Sequence, residues 1–162
     1  VKDDATPAIA VEFSMGSDCV VCHASEQASA TDTACLASKH ADQTTCTTCH
    51  GDESSLSKAH DGVTAEDKKP TKLKRTTVES ETCLACHSET DRVAATADTT
   101  VCTDSEGTTV NPHDLPANDD HDSIACSDCH SEHTTETAVE LAPQECLNCH
   151  HAGVYACYTC HD

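Results

Sequence analysis

The chain has 162 residues and a formal net charge of −20, with 29 acidic residues against nine basic ones. Leu, Ile, Val and Phe together number 21, Trp is absent, and aromatic residues are 2% of the chain. Such a composition cannot build an ordinary apolar core; its charge disfavours nucleic acid and anionic lipid as partners, and no apolar run is long enough to span a membrane.

In chain order, residues 1–18 read as an extended acidic arm containing Pro7. Cys19-Val-Val-Cys22-His23 follows, then Cys46-Thr-Thr-Cys49-His50, with small and polar residues between them. Asp61-Gly62 opens a turn, and Pro70 disfavours a helix in the stretch that follows. That stretch holds five of the nine basic residues, Lys68, Lys69, Lys72, Lys74 and Arg75. It reads either as a solvated loop or as a contact for carboxylates of a cofactor or partner. Residues 78–97 are expected to carry a helix through Cys83-Leu-Ala-Cys86-His87, favoured weakly by Val93-Ala94-Ala95. Residues 99–122 are loop-like, with Asn111-Pro112, Leu115-Pro116 and the acidic pair Asp119-Asp120. Three further motifs crowd the end of the chain: Cys126-Ser-Asp-Cys129-His130, Cys146-Leu-Asn-Cys149-His150 and Cys157-Tyr-Thr-Cys160-His161. Strand signals are nearly absent. The expected fold class is mostly irregular chain with short α-helices, little or no β-sheet, and a single domain over 1–162.

The six Cys-x-x-Cys-His units match the attachment signature of c-type haem, in which both thiols bond the porphyrin and the following His binds iron. Zinc ribbons and dithiol sites also use Cys-x-x-Cys, but neither requires His directly after it. A disulfide scaffold would account for 14 cysteines but not for the histidines. The reading is therefore six covalently bound haem c groups, with proximal ligands His23, His50, His87, His130, His150 and His161. Six histidines remain, His40, His60, His113, His121, His133 and His151, the number needed for six bis-histidine irons. His151 adjoins His150, and His133 is three residues past His130. Neither can easily reach the far face of its neighbour's haem, so each is expected to serve a haem attached elsewhere. Cys35 and Cys102 lie outside the motifs, and an even remainder suggests a disulfide, against the alternative of two free thiols.

Six large, mostly apolar porphyrins would supply the missing core, at 27 residues per haem. So little protein cannot keep the haems apart, which makes electron hopping between neighbours the expected function and makes folding depend on the cofactor. Haem attachment of this kind occurs outside the cytoplasmic membrane. The N-terminus lacks a signal-peptide pattern and reads as a mature form, so a periplasmic or cell-surface location is expected.

Cys46-Thr-Thr-Cys49-His50-Gly51 with Leu56 and Ala59-His60 resembles the second haem region of the small tetrahaem cytochromes. Asn111-Pro112-His113, His121, Cys126 to His133 and Cys146 to His150 resemble their third and fourth regions. The cytochrome domain of flavocytochrome fumarate reductases has the same pattern, and related cytochromes serve as subunits beside flavin-containing reductases in anaerobic bacteria. The resemblance implies bis-histidine haems in a closely spaced chain. It also implies anaerobic respiration beside flavin-containing reductases. The expected function is electron transfer from a quinol-oxidising cytochrome donor to a flavoprotein or other terminal reductase, or to an extracellular acceptor. This chain has two motifs more than those relatives, those at Cys83 and Cys157, and no dinucleotide fingerprint for a flavin. An alternative reading is a subunit of a conductive cytochrome filament, since haems near both chain ends suit head-to-tail stacking. An enzyme is disfavoured, because twelve histidines on six irons leave no open position.

Overall fold

The computed structural model describes residues 12–72, 76–150 and 153–155. The N-terminal arm to residue 11, Lys74, Arg75, His151 and the whole sixth motif lie outside the described residues. Among those described there is no strand, and one isolated antiparallel bridge joins Thr103 to Thr109. Gly107, at φ 86°, takes the left-handed turn that closes this bridge. The expectation of short helices in irregular chain is met.

A 3-10 turn at Cys19–Val21 precedes α1 (Ala24–Ser29), α2 (Ala37–His40), α3 (Cys46–Cys49) and α4 (Glu53–Ala59). Then come α5 (Ser80–Leu84), α6 (Glu89–Ala95), α7 (Asp119–Asp122), α8 (Cys126–Cys129) and α9 (Ala138–Cys149). Most are one or two turns long, and polar caps hold them. Asp52 accepts from the amides of Ser54 and Ser55 to open α4, Ser88 from Asp91 to open α6, and Asn118 from Asp120 to open α7. Thr137 and Glu140 form a reciprocal capping box on α9, which runs twelve residues despite Pro143. The single helix expected over 78–97 is two, because Ser88 takes an extended conformation as the cap of a new helix. Gly62, at φ 73°, makes the expected turn after α4.

Side-chain packing supplies almost no core. Among the described residues the buried apolar side chains are Cys35, Cys102 and Ala142. Large apolar residues instead stand exposed beside the motifs: Val20 (41%), Val21 (58%), Leu84 (43%) and Leu147 (49%) each lie between the two cysteines of a motif. The segments are tied mainly by polar cross-links. Ala37 N–H donates to Glu132 O at 2.9 Å, Cys126 N–H to Ser80 Oγ at 3.3 Å, and Tyr155 N–H to Asp104 Oδ2 at 2.9 Å. The expected Cys35–Cys102 disulfide does not form: both thiols are free. Cys102 is fully buried next to Cys146, whereas the charged neighbour of Cys35 is Asp32. Even parity cannot bring together two cysteines that the fold places in different surroundings.

Candidate metal centres

All five described motifs share one local geometry. The His N–H donates to the carbonyl of the first Cys, four residues back: His23 to Cys19 at 2.8 Å, His50 to Cys46 at 2.9 Å, His87 to Cys83 at 2.9 Å, His130 to Cys126 at 2.9 Å and His150 to Cys146 at 2.8 Å. One helical turn therefore sets both thiols and the imidazole on one side of the chain, as residues three and four apart share a helix face.

Each of these five histidines faces one histidine from outside the motifs. His23 and His60 have ring centroids 6.0 Å apart, and His40 and His87 6.1 Å. The distance is 6.3 Å for His50 and His133, 5.9 Å for His113 and His130, and 6.3 Å for His121 and His150. Ring contacts of the ordinary kind also fall in this range, but they do not require one partner in each pair to follow a Cys-x-x-Cys. An imidazole nitrogen binds a metal ion at about 2.0–2.1 Å. The ring centre lies about 1.1 Å behind that nitrogen, so two rings on opposite sides of one ion have centroids about 6.3 Å apart by that bond length. His133 faces His50 rather than its neighbour His130. His151 and His161, the sixth histidine of each kind, lie outside the described residues.

The non-motif rings are also held in one tautomer. His60 Nδ1 lies 2.7 Å from Leu56 O, His121 Nδ1 2.9 Å from Pro116 O, and His40 Nδ1 3.0 Å from Glu132 Oε2. His133 Nδ1 lies 2.7 Å from Ser29 Oγ, whose own hydrogen goes to Glu26 O. His113 Nδ1 lies 3.2 Å from Thr96 Oγ1, which donates to Asn111 Oδ1 or Arg92 O. Carbonyls and carboxylates only accept, so Nδ1 carries the proton and Nε2 keeps its lone pair. Metal-binding histidines are oriented in this way. Burial, then the facing His133, lowers the pKa of His50, and burial, then His130, lowers that of His113. Burial also lowers that of His130. All three shifts favour the neutral, ligand form.

Further features fit a porphyrin. Arg92 is an electrostatic neighbour of His113 and His130, and its buried Nε has no hydrogen-bond partner, a vacancy that a propionate carboxylate would satisfy. Phe13 stacks on His60 at 4.6 Å. Lys69, from the basic stretch, donates to Val21 O in the first motif at 2.6 Å. Among the described residues no three His, Cys, Asp or Glu side chains converge on a metal-sized site.

Thiols of successive motifs meet in chain order. Cys19 is an electrostatic neighbour of Cys46, Cys83 of Cys49 and Cys126, and the non-motif Cys102 of Cys129 and Cys146. Burial and then the Cys126 thiol push Cys83 up to about 11; burial and then Cys146 push Cys102 up to about 11. Tyr155 is pushed up to about 12 by burial and then by Cys146, and its ring lies edge-on to His150.

Ser29, Thr96, Glu132 and Arg92 carry no signal in the sequence, because their roles depend on partners far along the chain. No curated protein and no solved structure matches the chain. A family model described as cytochrome c3 matches residues 59–151, more than half of the chain, and takes in the third, fourth and fifth motifs. The chain therefore belongs to the cytochrome c3 family, as a multihaem c-type cytochrome that carries electrons.

Proposed function

We propose that this protein is an extracytoplasmic electron carrier with six covalent haems, each bound by two histidines. The observation that carries this reading is the pairing of every described motif histidine with one non-motif histidine at 5.9–6.3 Å. The bound haem would supply a one-electron ferric–ferrous couple. Each described centre would have two imidazoles, the non-motif one held at Nδ1, which favours a carrier over an enzyme with an open iron.

The meeting of motif thiols in chain order supports a path that follows the sequence, from the Cys19 attachment to the Cys146 attachment. Interleaved ligand pairs hold this path together: His50 reaches forward to His133, and His40 to His87. The net charge of −20 favours a donor and an acceptor with basic docking faces. Among the described residues no helix is long and apolar enough to cross a membrane, which fits a carrier moving between a quinol-oxidising cytochrome and a terminal reductase.

The test is spectroscopic. The oxidised protein should be wholly low-spin, and the reduced protein should bind no carbon monoxide. A substantial high-spin fraction would reject bis-histidine binding at that fraction of the sites.

A further inference from the structure

Among the described motif rings, Glu26 Oε1 lies 3.6 Å from His23 Nδ1, too far for a hydrogen bond. Of the five Nδ1 acceptors on the non-motif rings, four are neutral: two backbone carbonyls and two hydroxyls. The fifth is a carboxylate, Glu132 Oε2, 3.0 Å from His40 Nδ1. Glu132 grips the same helix twice, since its backbone carbonyl accepts from Ala37 N–H at 2.9 Å, in the first residue of α2. Its carboxylate is also an electrostatic neighbour of Cys49, Cys83 and His130, which belong to the second, third and fourth motifs. Among the described residues His40 is its one ion-pair partner.

We propose that Glu132 is a positioning residue for the His40–His87 pair and makes it the lowest-potential centre of the five described, the last to accept an electron. This rests on the bis-histidine reading. The ferric centre carries one more positive charge than the ferrous one. A carboxylate on Nδ1–H stabilises the ferric form directly, and it draws on that proton, making His40 a stronger electron donor through Nε2. Hydrogen bonding beyond the ligand is a recognised lever on haem potential. By ring dimensions the carboxylate stands about 7 Å from the metal position. With the two side chains 36% and 39% exposed, an effective dielectric of about 35, between the values for a protein surface and water, gives roughly a tenfold effect on the ferric–ferrous equilibrium. The centre lies mid-path, so electrons crossing the protein would climb to it and descend from it.

The experiment is an electrode titration of the intact holoprotein, followed by optical and electron paramagnetic resonance spectra. The variants are Glu132→Gln and Glu132→Asp. The Cys83→Ala/Cys86→Ala form, which lacks the third attachment, assigns the signal. Glu132→Gln keeps an acceptor for Nδ1–H but removes the charge. It should leave the third centre low-spin and shift its equilibrium roughly tenfold toward ferrous, about 59 mV for one electron, with smaller shifts elsewhere. Glu132→Asp should keep most of the low potential. The proposal is overturned if the third centre is not the last reduced, or if Gln leaves its potential unchanged. It is also overturned if Gln and Asp alike merely turn it high-spin, because a holding role alone would do that. Failure of the underlying reading looks different: the unaltered protein would then already show a high-spin third centre that binds carbon monoxide.

Discussion

Replacing His133 by Gly isolates a single centre. In the structure His133 faces His50 at 6.3 Å and is fixed through Nδ1 to Ser29. No other described motif partner can substitute, because His40, His60, His113 and His121 each face a different motif ring. One haem of the proposed six should therefore lose a ligand. About one-sixth of the Soret absorbance should turn high-spin, by the one-pair-per-iron arrangement, and the reduced variant should bind one carbon monoxide per chain. Ser29→Ala is the control. It removes only the hydrogen bond, costs about 1 kcal/mol of stability, and leaves all centres low-spin. Adding His133→Gly to a Cys46→Ala/Cys49→Ala background, where the second attachment is gone, should produce no further carbon monoxide site. The pairing is refuted if His133→Gly stays wholly low-spin, or if its carbon monoxide site survives in that background.

Intact mass should exceed the 17.1 kDa chain by six haems, and each paired Cys→Ala variant should lose one; zinc in metal analysis would contradict this. Crossed ligand planes leave the iron orbitals nearly degenerate, whereas aligned planes split them. The His40–His87 and His23–His60 pairs, at 87° and 74°, should therefore give strongly anisotropic ferric signals. The His50–His133 and His113–His130 pairs, at 13° and 9°, should give rhombic ones, and a spectrum with one class alone would count against the geometry. Denatured, unreduced protein should take up thiol label at Cys35 and Cys102, which are free; a mass two daltons short with no label would restore the disulfide. Reduction by a basic donor should slow as salt rises to about 0.15 M, where charges are screened beyond about 8 Å, and a rate indifferent to salt would remove charge from the docking step.

The candidate attachment points are legible because the motif is local. One helical turn carries two thiols and an imidazole, and five residues suffice to spell it. Counting also went far, since six spare histidines against six motifs implied a partner for each. The particular partners were not readable. His50 and His133 meet only because Ala37, Ser29 and the segment around Glu132 are tied together by hydrogen bonds that leave no periodic trace. The lack of strand among the described residues was legible in composition, whereas the break between α5 and α6 was hidden in one capping serine. The Cys35–Cys102 pairing failed because parity counts thiols but does not locate them.

The near-absence of a self-made core has a consequence for how the protein is assembled in the cell. Three buried apolar side chains among the described residues cannot hold a chain of this charge closed. On the proposed ligation, the polypeptide would stay open while its cofactors are attached, and the ring pairs would then lock the final shape. Those pairs cross in sequence, so assembly has an order imposed on it. On the proposed ligation, a haem attached at Cys46 and Cys49 would wait for a histidine that emerges only near residue 133. In the interval His60, His87 and His113 pass within reach as competing imidazoles. Each would make a plausible but wrong closure, reversible only while the iron–nitrogen bond still exchanges. Slow maturation, with misligated forms that resolve on reduction, is the kinetic signature of a chain whose folding is decided by ligand exchange rather than by burial.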